Sequence, residues 1–199
     1  MNATSHGVNM TREREELLHT ACARFRESGI TGVPLSALAE AANMPEERAR
    51  EIFPDRDDLL YAVYLLELER MGTHSFADLP EGPLGKKLRH LLGFRYDFFA
   101  RHKRSSRKVM LEALLGNARW RDDYENLLWR FSVEIVALIQ AAERSGEIRK
   151  DVDEGLTARA FVAYYVTGLL MLLRTEEAAA DDACSFTFPL VDSLVSSLA

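Results

Sequence analysis

Val33-Pro-Leu-Ser-Ala-Leu-Ala-Glu-Ala-Ala-Asn-Met-Pro-Glu-Glu-Arg-Ala-Arg-Glu-Ile-Phe53 is the stretch that decides the fold. Pro34 and Pro45 each stand where a first helical residue is wanted, because proline has no N–H to lose there and its φ is already helical. Leu35, Leu38, Ala39 and Ala42 recur at helical spacing and make one apolar face. Ala49, Ile52 and Phe53 repeat the pattern on a second short helix. Asn43 lies between them, where a residue tolerant of positive φ is needed. Two helices this short and this closely joined predict a helix-turn-helix, with the second helix offered to a DNA groove.

Outward from this stretch, the chain reads as helix throughout. Residues 1–10 are polar and expected to fray. Thr11 is placed to cap a first helix, with Glu13, Glu15 and Glu16 in its first turn. Leu18, Ala21, Cys22 and Phe25 form its inward stripe, and Gly29 ends it. After the sharp Phe53-Pro54-Asp55 corner, Asp55 caps a fourth helix from about Arg56 to Gly72. Residues 72–83 hold two glycines and two prolines and read as a loop. Further helices follow at about Leu84–Arg101, Ser105–Leu115 (stopped by Gly116), Arg121–Ser145 (closed by Gly146) and Asp153–Arg174. A last one covers about Ser185–Leu198, where Pro189 demands a kink or a later start. No strand pattern or internal repeat is visible. The fold class is all-α with about nine helices, organised as a helix-turn-helix domain (11–55) and a larger helical domain (56–199).

Composition sets outer limits. With 199 residues, 47% of them hydrophobic, the chain can bury a substantial core. Its net charge of −6 argues against coating nucleic acid through bulk electrostatics, though a local basic patch is compatible with it. The two cysteines, Cys22 and Cys184, make no disulfide framework, and the cytoplasm is the expected compartment. No signal peptide is read, and the apolar stretch Ala160–Leu173 is short for a bilayer and carries Tyr164, Tyr165 and Thr167.

The layout resembles the tetracycline-repressor (TetR) family of one-component transcriptional regulators. Phe25, Gly29, Leu35, Leu38-Ala39-Glu40-Ala41-Ala42, Phe53-Pro54 and Asp57 to Leu60 fall where that family keeps core and turn residues. Gly146-Glu147-Ile148-Arg149-Lys150-Asp151-Val152-Asp153, followed by a helix with Gly168-Leu169, is a second match. The resemblance implies a three-helix DNA-binding domain, then a helical ligand-binding and dimerisation domain. It also implies a homodimer closed by a four-helix bundle of the last two helices, and an effector that alters the spacing of the DNA-binding domains through the fourth helix. The partners implied are a double-stranded DNA operator, a small-molecule effector and a second copy of the chain, with no membrane and no cofactor.

At the DNA-contact positions the residues differ from the family's. The family keeps a small hydroxyl residue where Val33 stands. Lys, Gly, Thr, Tyr and His are common where this chain has Glu46, Glu47, Arg48, Arg50 and Ile52. The candidate DNA-binding residues are therefore Pro34, Glu46, Glu47, Arg48 and Arg50. Arg48 and Arg50 carry the positive argument, since a bidentate arginine–guanine pair discriminates by about 1–3 kcal/mol. The glutamates argue the other way. They also have a plain helical role: acids suit a first turn, and Glu46 with Arg50 is an i, i+4 pair. Residues 11–56 hold seven Lys/Arg and nine Asp/Glu, unusual for a domain that neutralises phosphates. The leading expectation is a ligand-responsive regulator, more often a repressor in this family. The alternative is a ligand- or partner-binding helical dimer that has lost specific DNA recognition.

Two other features stand out. Residues 86–108 carry nine Lys/Arg against one acid, Asp97. This is either an anion site or a solvated connector between helices, and the connector is favoured. Aromatic residues concentrate in the second domain. Most are core by their spacing, but Trp120, Tyr124 and Tyr164, being amphipathic, are the candidates to line an effector pocket for a largely hydrophobic molecule. The search for catalysis is nearly empty: His6, His19, His74, His90 and His102 are scattered, no metal spacing or phosphate loop occurs, and the chain does not read as an enzyme.

Overall fold

The computed structural model describes residues 3–28, 33–113 and 118–199, and all regular structure among them is helical. In order the helices are α1 (Ala3–Ser28), α2 (Leu35–Ala41), α3 (Glu46–Ile52), α4 (Arg56–Ala77), α5 (Leu84–Arg101), α6 (Lys103–Leu111), α7 (Ala118–Ser145), α8 (Glu154–Arg174) and α9 (Ala180–Ser196). The all-α class holds. Two compact units are formed, Met1–Leu68 and Glu69–Ala199, and the division falls within α4.

In the first unit α2 and α3 have seven residues each, too short to persist alone in water. They pack on each other and on α1. Leu38, Ala39, Ala49 and Phe53 are almost fully buried with Leu17, Ala21, Phe25, Leu59, Leu60 and Tyr64. Phe25 and Tyr64 meet edge to face, with centroids 5.9 Å apart. The prolines stand one position earlier than expected. Pro34 (φ −70°, ψ 152°) and Pro45 (φ −59°, ψ 140°) are the N-caps, not the first helical residues. Their carbonyls accept the first helical bonds, from Leu38 at 3.4 Å and Ala49 at 3.1 Å. Asn43 turns the chain at φ 51°.

In the second unit α5 packs on α8 and α9, and α7 packs on α8. The closest approach centres on Gly168 of α8. A Cβ there would fall 2.2 Å from the Tyr96 hydroxyl and 2.8 Å from Thr187 Cγ2, so only glycine allows α5, α8 and α9 to meet. The Tyr96 hydroxyl donates to the Tyr165 carbonyl at 3.1 Å, satisfying a polar group that would be costly to bury unpaired. Gly146, at φ 77°, ends α7 as expected, with the Glu147 N–H returning to the Ala142 carbonyl at 3.0 Å. Glu147 then accepts from the Leu84 N–H at the start of α5. Asp153 caps α8 by accepting from the Leu156 N–H at 2.8 Å.

Several helix limits differ from those expected of the sequence. α1 begins at Ala3, so Thr11 lies inside it and is no cap. α4 runs to Ala77, shortening the expected 72–83 loop. α9 begins at Ala180 and carries Pro189 in its interior. Its start is secured by Asp182, whose carboxylate accepts from the Ala179 N–H at 2.8 Å. α8 has 21 residues, enough to cross a bilayer by length and composition. It packs against α5, α7 and α9, as the core helix of a bundle does. The expected caps Gly29 and Gly116 lie outside the described residues.

Candidate DNA-recognition helix and effector core

α3 presents Glu47, Arg50 and Glu51 to solvent and buries Ala49. Pro34 is exposed at the head of α2. Arg48 is drawn back onto α1. Its Nε and Nη2 both donate to Glu13 Oε2, at 2.9 and 2.7 Å, and Nη1 donates to Glu51. The Glu13 and then the Glu51 carboxylate hold the Arg48 guanidinium above its ordinary value. Arg48 thus ties α3 to α1, a linkage that local spacing does not announce because Glu13 lies 35 residues away. Arg50 pairs with Glu46 on the open face, its Nε 3.1 Å from Oε1. The Arg50 side chain is 63% exposed. An exposed i, i+4 pair is worth on the order of 0.3–0.5 kcal/mol, less than a bidentate base contact would return. Arg50 is therefore available to a ligand, and Arg48 is committed to the scaffold. Behind them Arg14 lies over the Phe53 ring at 5.0 Å, and Arg56 donates to the Val33 carbonyl at 2.9 Å.

Several cations of the basic run 86–108 are engaged by neighbouring groups. Arg89 pairs with Asp192 at 3.0 Å and Arg107 with Glu176 at 2.9 Å. Lys103 donates to the Glu176 and Ala178 carbonyls, and Lys86 to the Glu81 carbonyl. Arg89, Lys103 and Arg107 tie α5 and α6 to α9 and to the segment leading into it.

One member behaves differently. Arg95 is turned inward from α5 and is 7% exposed. Its guanidinium carbon lies 3.7 Å from the centroid of Phe131 on α7 and 5.7 Å from that of Tyr165 on α8. Phe131 also meets Tyr165, Phe161 and Phe76 at centroid distances of 5.4, 5.9 and 6.0 Å. Across the cluster, Gly72 of α4 offers no side chain: a Cβ there would lie 3.7 Å from Arg95 Nη2. Burial pushes the guanidinium below its ordinary value, with Tyr165 beside it partly offsetting the effect. Burial likewise pushes the Tyr165 phenol up, so it stays neutral. The Tyr165 hydroxyl accepts from the guanidinium and the Glu134 carboxylate favours its charge from nearby, while Nε has no hydrogen-bond acceptor. A desolvated cation–π contact returns about 2 kcal/mol, whereas burying a charge costs several.

Of the three candidate pocket residues, Trp120 and Tyr124 on α7 are buried, at 4% and 5% exposure. Tyr124 belongs to the electrostatic surroundings of Arg95. Tyr164 is half-exposed, and its neighbour Tyr165 is the buried tyrosine of α8. Sequence reasoning groups Arg95 with the surface cations. A signal of its burial is nonetheless present: it shares the helical stripe of Leu88, Leu91, Leu92, Phe98 and Phe99. No group of three His, Cys, Asp or Glu residues among the described ones could hold a metal.

No family model matches the chain, and no curated protein does. Solved structures match it over nearly its whole length. FadR of Bacillus subtilis, a transcriptional regulator in complex with stearoyl-CoA, aligns with a TM-score of 0.66 at 16% identity, covering 93% of this chain and 99% of that one. FadR of Thermus thermophilus, a TetR-family transcriptional repressor in complex with lauroyl-CoA, gives 0.63 at 19% identity over 89% and 92%. A TetR-family transcriptional regulator of Cytophaga hutchinsonii gives 0.65 at 15% identity over 96% of both chains. The chain has the TetR-family fold. In that fold the first unit, with α2 and α3, is the helix-turn-helix end, and the aromatic cluster lies in the larger helical unit.

Proposed function

We propose that the chain is a homodimeric transcriptional regulator, acting as a repressor, whose operator affinity is set by a largely hydrophobic small-molecule effector. The observation that carries this reading is an intact helix-turn-helix, with α3 open to solvent at Arg50, on a chain that aligns end to end with regulators of this fold. Residues 11–55 serve as the DNA-binding domain and 56–199 as the effector and dimerisation domain, working in the cytoplasm. Leu156 and Leu170 of α8 and Phe186 of α9 are 58%, 50% and 42% exposed, an apolar face suited to a second copy. The stearoyl-CoA and lauroyl-CoA held by the two FadR proteins are amphiphiles with long apolar chains, the broad class that an aromatic-lined core accepts. Effector binding favours the conformation in which the paired recognition helices no longer match successive major grooves. Pro34, Glu46, Glu47 and Arg50 form the DNA-facing element, with Arg50 the base reader and Arg48 bracing α3 against α1. Trp120, Tyr124 and Tyr164 contribute to the effector pocket. The test is a gel shift and footprint of the full-length protein on DNA flanking its own gene, at low salt. A specific shift supports the reading, and no specific shift across several such fragments counts against it.

A second reading is favoured by one observation. Both recognition-helix arginines are already paired with glutamates. A helical dimer of this fold that keeps its effector site and has lost operator recognition would look the same, and would bind ligand with no DNA affinity.

A further inference from the structure

We infer that Arg95 is the anion-anchoring residue of the effector site, and that the effector is an organic acid: a carboxylate-type head on an apolar, flat or flexible body. This deepens the effector-responsive reading above and rests on it. The guanidinium sits against Phe131 and Tyr165, with Gly72 of α4 presenting no side chain beside its Nη2. Arg89, Lys103 and Arg107 of the same basic run each find a carboxylate or a carbonyl near the surface, whereas Arg95 has aromatic faces and an Nε with no acceptor. The Tyr165 hydroxyl accepts one of its N–H bonds, and Nε is left without an acceptor. That buried, unmet donor on a planar cation is suited to a carboxylate oxygen. The low-dielectric surroundings strengthen such a pair once formed. The rings around it supply the apolar contacts for the rest of the molecule. An acid is therefore recognised twice, by charge at Arg95 and by surface at the ring cluster, while a neutral analogue of the same body gains only the second.

The test is calorimetric titration of the full-length protein, without DNA, with benzoate, phenylacetate and octanoate and with the three corresponding amides. At least one acid is expected to bind about tenfold or more tightly than its amide. Arg95→Met keeps the apolar stem and removes the charge, and is expected to abolish that preference. Arg95→Lys keeps charge without the fork and is expected to retain part of it. Equal binding of acid and amide, no binding of any acid, or an unchanged preference in Arg95→Met overturns the inference. Should Arg95→Met not fold, a wild-type crystal soaked in bromide decides: an anomalous peak against the Arg95 Nε supports the anion site and its absence overturns it. A protein that binds the acids but no operator leaves this inference standing and removes the regulator reading. One that binds operator but none of the acids does the reverse.

Discussion

Glu13 of α1 holds Arg48 of α3 through two donors on one oxygen, Nε at 2.9 Å and Nη2 at 2.7 Å. The side chains are only 25% and 21% exposed, so the pair is shielded on both sides. α3 is thereby fastened to α1 at the residue that a reading of local spacing offers to DNA. Arg48→Met should lower the melting temperature of the protein, and Arg50→Ala should leave it nearly unchanged. Thermal unfolding followed by circular dichroism distinguishes the two. Equal shifts would sink the assignment of Arg48 to the scaffold.

On the proposed reading, Arg50 carries the specificity. Once an operator is in hand, Arg50→Ala should reduce discrimination at one base pair by about tenfold, within the roughly 1–3 kcal/mol of a bidentate base contact. The slope of affinity against salt should change little, because a base contact releases no counterion. Binding to single-base operator variants at several salt concentrations measures both. A uniform loss across all variants would make Arg50 a phosphate contact instead.

Gly168 gives the clearest stability prediction. A methyl group at that position meets the Tyr96 hydroxyl at 2.2 Å and ring carbon Cζ at 2.6 Å, distances no packed pair tolerates. Gly168→Ala should destabilise by roughly 1–3 kcal/mol through overpacking. Adding Tyr96→Leu, which vacates the space, should recover part of that loss in urea unfolding. Additive effects of the two substitutions would show that the contact is not the cause.

His102, at the α5–α6 junction and with its ring 5.0 Å from that of Phe98, makes the stability depend on pH. Burial, and then the charge of Arg101, lower its value from the ordinary 6.5. The unfolded chain therefore takes up the proton first as pH falls. The contribution is complete above pH 6.5 and is lost as pH drops through the lower folded value. Stability measured by urea unfolding should decline below this point, and His102→Gln should flatten that decline.

Cys184 should be a sluggish nucleophile. Burial, with Asp97 and Asp181 nearby, pushes its thiol up from 9.0 to about 11. A thiol so raised holds about a hundredfold less thiolate near neutral pH, and thiolate is the reacting form. Iodoacetamide labelling of Cys184, followed by mass spectrometry, should be correspondingly slower in the folded protein than in urea.

What can be read from the chain is what lies within a few residues. Two prolines, Asn43 and the apolar spacing of residues 35–53 announce the helix-turn-helix, because caps and turns are set by neighbours along the backbone. Asp153 and Gly146 mark their helix ends for the same reason. The limits of α1, α4 and α9 depart from these local signals: α9 carries Pro189 in its interior, and α1 continues past Thr11 to Ala3.

The sequence by itself determined the all-helical class, the order of the helices and the position of the helix-turn-helix. Only the tertiary structure decided what the arginines do. Arg48 is placed by a glutamate 35 residues away, and Arg95 by rings on α7 and α8. A long cationic side chain reaches whichever partner the folded elements bring near it. Its role follows from that company, which spacing along the chain does not encode.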